Sequence, residues 1–124
     1  WIFSTNYTRA GGYEATKRML QRQPPRALFA TNEQQALGCL RALAEQGLRV
    51  PEDVALVCFN ATYESAYNVP SLTAVLQPVD KMARAAIDML KNWDGEVRRV
   101  EFEFYLRTGE SCGCQGHKVQ PETT

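Results

Sequence analysis

The sequence has little that would favour a membrane or a nucleic acid as partner. Its longest apolar runs, such as residues 54–59, span a handful of positions, whereas a membrane-spanning helix needs about 20. Lysine plus arginine equal aspartate plus glutamate at 14 each, so the formal net charge is zero. The chain therefore lacks the basic excess that binding to a phosphate backbone requires.

Residues that commonly carry catalysis are also scarce. The chain has 1 histidine, His117, close to its end, so no serine or cysteine nucleophile has a credible base. Gly11-Gly12 precedes a predicted helix but lacks the spacing of a phosphate-binding loop, and no G-x-S-x-G turn occurs. The sequence therefore predicts a protein that is not an enzyme.

Cysteine is present at 4 positions, without the pattern of a disulfide framework. Cys39 and Cys58 lie in apolar segments, which is typical of buried thiols. Cys112-Gly113-Cys114 with His117 resembles half of a zinc site, but a structural site needs four ligands and no second histidine is present. We expect reduced thiols in a cytoplasmic protein, with no metal and no cofactor.

The 124 residues suit one compact domain, and their apolar pattern predicts alternating strands and helices. Short continuous apolar runs are typical of strands that are buried on both faces of a parallel sheet. The fold class is therefore α/β. Strands are predicted at 1–3, 27–30, 54–59, 72–76 and 97–106, and helices at 11–23, 33–46 and 78–93.

A polar or amide side chain follows several of the predicted strands. These side chains are Tyr7, Asn32, Asn60 and Gln77. In an open α/β sheet, ligands bind outside the carboxyl ends of the strands. Because amides both donate and accept hydrogen bonds without net charge, they suit a neutral polyhydroxylated or heterocyclic ligand, against which an aromatic ring can lie. Taken singly, each residue also suits a helix cap or a turn.

Several segments, taken in order, resemble the effector-binding domain of LacI/GalR-type transcription regulators. That family shows the patterns N-D-x-x-A-x-G, G-L-x-V-P-x-D-V, G-[FY]-D and P-x-L-T-T-[VI]-x-Q. The corresponding segments here are NEQQALG (32–38), GLRVPEDV (47–54), CFN (58–60) and PSLTAVLQ (70–77). Gly12-Tyr13 is similar to the family's helix-opening G-[FY], and Arg107 with Ser111 to its closing R-x-S. The resemblance covers residues 6–111.

The resemblance implies a periplasmic-binding-protein-like fold of type I, in which two Rossmann-like lobes close around a small ligand. Residues 1–115 would then form the C-terminal part of the effector domain, mostly one lobe. Helix 78–93 would cross towards the other lobe, and residues 116–124 would form a disordered tail. The other lobe and an N-terminal helix-turn-helix would lie upstream.

The same resemblance assigns roles to the four polar residues. Tyr7 takes the stacking position, Asn32 and Asn60 take hydrogen-bonding positions, and Gln77 lines the cleft near the hinge. Asn60 stands where the family usually has aspartate, Glu33 replaces an aspartate, and Cys58 replaces a glycine. Loss of the carboxylate at position 60 removes a charge-assisted bond to ligand hydroxyls, which makes sugar binding less secure.

The function implied is sensing of a small effector, such as a sugar or nucleoside, by a homodimeric regulator that contacts DNA only through its N-terminal domain. Two alternatives remain open at this point. One is the sensor domain of a signalling protein, and the other is a periplasmic sugar-binding transport protein.

Overall fold

A four-stranded sheet organises the chain in the computed structural model, which describes residues 1–114. Its strand order is β1-β2-β3-β4, with the first three strands parallel and the fourth antiparallel to β3. The mostly parallel α/β architecture is thus confirmed. The elements are α1 (Arg9–Leu20), β1 (Ala27–Ala30), α2 (Glu33–Glu45), β2 (Ala55–Phe59), β3 (Thr73–Leu76), α3 (Val79–Lys91) and β4 (Tyr105–Arg107), with 3₁₀ turns at Tyr63–Ala66 and Glu110–Cys112.

The core lies between α2 and one face of the sheet. Leu56 and Cys58 of β2 and Ala74 of β3 point to this face and are fully buried. On α2, Ala36 and Cys39 pack against them, because residues three and four apart lie on one side of a helix. The buried thiols predicted for Cys39 and Cys58 are confirmed.

The prediction that the strands are buried on both faces is wrong for the described residues. Apart from Thr73, side chains on the second face are half-buried or exposed, and Phe29 of β1 keeps 62% of its surface accessible. The sequence pattern cannot show whether an apolar sheet face is covered by this chain or left open, because both kinds of face carry apolar side chains. The large apolar side chains on this face are Phe29, Val57, Phe59, Val75 and Leu106.

The strand predicted at 97–106 is also corrected, since β4 contains only residues 105–107. Tyr105 pairs with Leu76, the last residue of β3, so earlier residues have no strand beside them. Val97, Val100 and Phe104 stay exposed, and Phe102 is half-buried. Residues 1–3 likewise form no strand in the described chain.

The helices differ from the prediction at their ends. α1 begins at Arg9 because the Thr8 side chain caps it by accepting a hydrogen bond from the Gly11 amide, and it ends at Leu20. α3 spans 79–91 and not 78–93. None of the described helices is long and apolar enough to cross a bilayer. The predicted tail 116–124, including His117, lies outside the described residues.

Candidate ligand-binding site

The carboxyl ends of β1, β2 and β3 lie at one edge of the sheet, and the predicted residues follow them. Asn32 comes two residues after β1, Asn60 directly follows β2, and Gln77 directly follows β3. The Asn60 amide donates to the Val75 carbonyl at 2.8 Å, which holds the ends of β2 and β3 together. We call the four residues Tyr7, Asn32, Asn60 and Gln77 the carboxyl-edge site.

Tyr7 reaches this edge through the loop before α1. Its carbonyl accepts a hydrogen bond from Nδ2 of Asn32 at 3.0 Å, and the Gln35 side chain donates to the hydroxyl of Thr5. The backbone of Tyr7 has φ +61°, a left-handed conformation that few side chains adopt without cost. Tyr7 as a whole is 66% exposed. The loop therefore presents an aromatic ring to solvent beside the start of α2.

Asn32 has a structural task at the same time. Its Oδ1 caps α2 by accepting from the Gln35 amide at 2.8 Å, while its Nδ2 holds Tyr7. A carboxamide has two donor hydrogens and two acceptor lone pairs, so one of each remains for a ligand. Asn32 therefore caps α2 and holds the Tyr7 loop, and only its remaining donor and acceptor are open to a ligand.

The side chains of Asn60 and Gln77 are less engaged in hydrogen bonds within the protein than that of Asn32. Asn60 is exposed and has φ +55°, and within residues 1–114 its carboxamide makes no hydrogen bond to protein. Gln77 is half-buried, and its carbonyl accepts from the Val79 amide at 2.9 Å at the entry to α3. These two side chains retain the full hydrogen-bonding capacity of an amide among the described groups.

Glu33 supports the site in a way that the sequence did not reveal. Its carboxylate is buried and accepts from the Thr62 amide at 3.0 Å and from the Thr62 hydroxyl at 3.1 Å. This ties the loop after Asn60 to the first turn of α2, where a negative charge is also favourable. The sequence analysis identified Glu33 only as a replacement for a family aspartate, since its partner lies 29 positions away.

Arg107 of β4 holds the same loop from the other side. Its guanidinium donates to the Thr62 carbonyl at 3.4 Å and to the Ser65 hydroxyl. Cys58 lies within the electrostatic reach of Glu33 and Arg107. Burial, together with the Glu33 charge, raises the pKa of the Cys58 thiol to about 11. Cys58 is therefore an uncharged core residue at neutral pH, not a nucleophile.

A cleft beside β1 meets the carboxyl-edge site only at Tyr7. It has a volume of about 880 Å³ and lies between residues 1–5, α1 and β1. Met19 and Leu28 line its apolar part, whereas Asn32, Asn60 and Gln77 take no part in it. The described residues therefore place the site on an open edge and not inside this cleft.

Metal-binding chemistry is weak in the described part of the chain. Within residues 1–114, no three histidine, cysteine, aspartate or glutamate side chains are grouped so as to hold an ion. The partial zinc pattern of Cys112 and Cys114 depended on His117, which lies outside the described range.

Comparison with known proteins assigns this architecture to a class. The family model of the periplasmic binding protein-like domain matches residues 1–112. The chain is 36% identical to the HTH-type transcriptional regulator MalR of Clostridium butyricum over 115 residues, which cover 90% of this chain and 34% of that protein. The chain thus spans about a third of the length of this curated relative.

Solved structures agree with the sequence comparison. A LacI-type transcription regulator from Bifidobacterium animalis subsp. lactis superposes with a TM-score of 0.78 at 37% identity, covering 84% of this chain and 39% of that one. The Lac repressor dimer, solved with operator and the anti-inducer ONPF, superposes with a TM-score of 0.77 at 26% identity, covering 86% and 39%.

These matches define the class of protein to which this fold belongs. It belongs to the family of periplasmic binding protein-like domains, and its similarities lie with regulators of LacI type. The resemblance and the fold class predicted from the sequence are confirmed.

Proposed function

We propose that this chain is the C-terminal part of the effector-sensing domain of a LacI-type transcription regulator, and that its carboxyl-edge site contributes half of the effector pocket. The observation that carries the proposal is the convergence of Tyr7, Asn32 and Asn60 on one sheet edge, where ligands bind in open α/β sheets. The similarity to regulators such as MalR and the Lac repressor favours transcription control over transport or another signalling output.

The chemistry of the site favours an uncharged ligand with several hydroxyl or ring-nitrogen groups. Amides at positions 32, 60 and 77 supply donors and acceptors without net charge. The nearby carboxylate of Glu33 is already engaged with Thr62. An exposed tyrosine ring at position 7 suits the apolar face of a sugar or base. A sugar or nucleoside fits this combination better than an anion.

The remainder of the proposed regulator lies outside this chain. The second lobe would complete the pocket, and an N-terminal helix-turn-helix would contact DNA. This chain has a formal net charge of zero and is therefore poorly suited to bind DNA itself. The Lac repressor, a dimer in its solved complex, supports a homodimer. We propose a cytoplasmic regulator without catalytic activity. An effector changes DNA binding only if it binds one lobe arrangement better than the other.

The experiment uses the full-length protein and a thermal-shift panel of sugars and nucleosides. A true effector must raise the melting temperature, because it binds only the folded state. We then compare Asn60→Gly with wild type, since glycine accepts the φ of +55° and removes only the side chain. Loss of one or two hydrogen bonds should weaken effector binding by about tenfold.

Tyr7 is tested with a matched pair of variants. Tyr7→Gly removes the ring and tolerates the left-handed backbone, whereas Tyr7→Phe keeps the ring and removes the hydroxyl. We expect Tyr7→Gly to weaken binding about three- to tenfold and Tyr7→Phe to stay close to wild type. If Asn60→Gly and Tyr7→Gly both bind the effector like wild type, the proposed site is wrong.

A further inference from the structure

Two cysteines meet in one turn at the end of the described fold. Cys112 ends the 3₁₀ turn Glu110–Cys112, and Cys114 follows after a single glycine. Two residues span at most about 7 Å when extended, and Gly113, with φ +75° and ψ 10°, bends the chain below that limit. The Cys114 amide donates to Sγ of Cys112 at 3.3 Å. The pair therefore lies within the Cα separation of about 4.4–6.8 Å that a disulfide accepts.

The turn that carries this pair is firmly attached to the sheet. The buried Ser111 hydroxyl donates to the Leu56 carbonyl at 2.6 Å and accepts from the Thr73 amide at 2.9 Å. The Glu110 carboxylate accepts from the Ser71 amide at 2.8 Å. These contacts fix the turn at the amino ends of β2 and β3, at the edge opposite the carboxyl-edge site.

Accessibility separates these two thiols from the other two. Cys114 is exposed and Cys112 half-buried, whereas Cys39 and Cys58 are buried. Burial raises the pKa of Cys39 and brings that of Cys58 to about 11. At Cys112 burial acts in the same direction, but hydrogen bonds from Cys114 and Thr73 outweigh it and lower the pKa. The hydrogen bond with Cys112 raises the pKa of Cys114, so Cys112 is the thiol of the four that most readily forms a thiolate.

We propose that Cys112 and Cys114 form a reversible dithiol–disulfide site that exchanges with low-molecular-weight disulfides of the oxidised-glutathione class. The Cys112 thiolate attacks one sulfur of the oxidant, forming a mixed disulfide and releasing one thiolate. Cys114 then loses its proton and attacks Sγ of Cys112, which closes the intramolecular bond and releases the second thiolate. The two cysteines give up two protons and two electrons, and the oxidant is reduced to two thiols.

The test equilibrates the full-length protein with graded ratios of reduced to oxidised glutathione, followed by differential alkylation and peptide mass spectrometry. We expect the peptide holding Cys112 and Cys114 to lose 2 hydrogens as the ratio falls. Cys39 and Cys58, which serve as internal controls, should be alkylated at least about tenfold more slowly than Cys112 in the folded protein.

Single variants separate a dithiol site from ordinary surface thiols. In Cys114→Ser no second thiol resolves the first exchange, so we expect a stable glutathione adduct on Cys112. Wild type should show little of that adduct. A persistent adduct on wild-type Cys112, or a Cys112 that stays reduced alongside Cys39 across the whole range, would overturn the proposal. Because the cysteine pair lies away from Tyr7 and Asn60, effector binding can be measured independently of the redox state of the pair.

Discussion

At the scale of single residues, hydrogen bonds between protein groups hold the loops of the carboxyl-edge site in place without a ligand. Asn32 caps α2 with its oxygen and holds the Tyr7 loop with its nitrogen. Glu33, the next residue, holds the loop that follows Asn60 through Thr62. Two consecutive positions at the start of one helix thus fix the loop that contains Tyr7 and the loop that follows Asn60. Preorganisation of this kind reduces the ordering cost that a ligand would otherwise meet.

The Glu33 contacts lead to a testable prediction about stability. Glu33→Ala leaves the Thr62 amide without its acceptor, and we expect the free energy of unfolding to fall by about 1–3 kcal/mol. Glu33→Gln keeps an oxygen for the amide and should lose clearly less. Urea unfolding followed by circular dichroism measures both. Equal losses in the two variants would show that the charge, and not the hydrogen-bond geometry, holds the loop.

At the scale of elements, α1 and α2 approach closely because glycine stands on each helix where they meet. A Cβ at Gly38 of α2 would overlap the Arg9 carbonyl oxygen, and one at Gly12 of α1 would overlap the Gln35 backbone. The obstacles are main-chain atoms, so neither helix can yield by rotating a side chain. The pairing of these helices positions the Tyr7 loop, since α1 begins two residues after it.

A substitution at this crossing tests the point. Gly38→Ala should destabilise the protein by about 1–3 kcal/mol through forced separation of the helices, although alanine favours the helix itself. Gly11→Ala is the matched control, because its new Cβ meets chiefly the exposed side chain of Asn6, which can turn away. Thermal unfolding monitored by circular dichroism compares them. If Gly11→Ala costs as much as Gly38→Ala, close backbone packing is not the cause.

Element identity was predictable from the sequence where local patterns decide it. The run at 54–59 and the cap at Asn32 predicted β2 and the start of α2 to within a residue. The pattern at 97–106 failed because strand formation there depends on a neighbour, and β3 ends at Leu76. The Glu33–Thr62 contact had no local signal, since it depends on how β1 and β2 are aligned. Whether Tyr7, Asn32, Asn60 and Gln77 bind a ligand stays a prediction.

At the scale of the whole molecule, the described residues leave two apolar surfaces uncovered. One is the second face of the sheet, where Phe29 is mostly exposed. The other is α3, which buries none of its residues. Val79, Ile87 and Leu90 are exposed on one side of α3. Its other side carries, by helical spacing, Lys81, Arg84 and Lys91. The amphipathic pattern favours a helix that packs against polypeptide outside the described residues, as the predicted crossing to another lobe requires.

A charged substitution on each side of α3 distinguishes a packed helix from a solvated one. In the full-length protein, Leu90→Lys should lower the melting temperature by several degrees, because full burial of a leucine is worth about 1.5–3 kcal/mol. Arg84→Glu, on the polar side of the same helix, should change it by little, since surface substitutions usually cost under about 0.5 kcal/mol. Leu90 is 76% exposed in this chain, so a large loss confined to Leu90→Lys can arise only from contacts made outside the described residues. Equally small changes in melting temperature for both variants would show that α3 is exposed to solvent in the full-length protein. The prediction that this helix crosses to a second lobe would then be wrong.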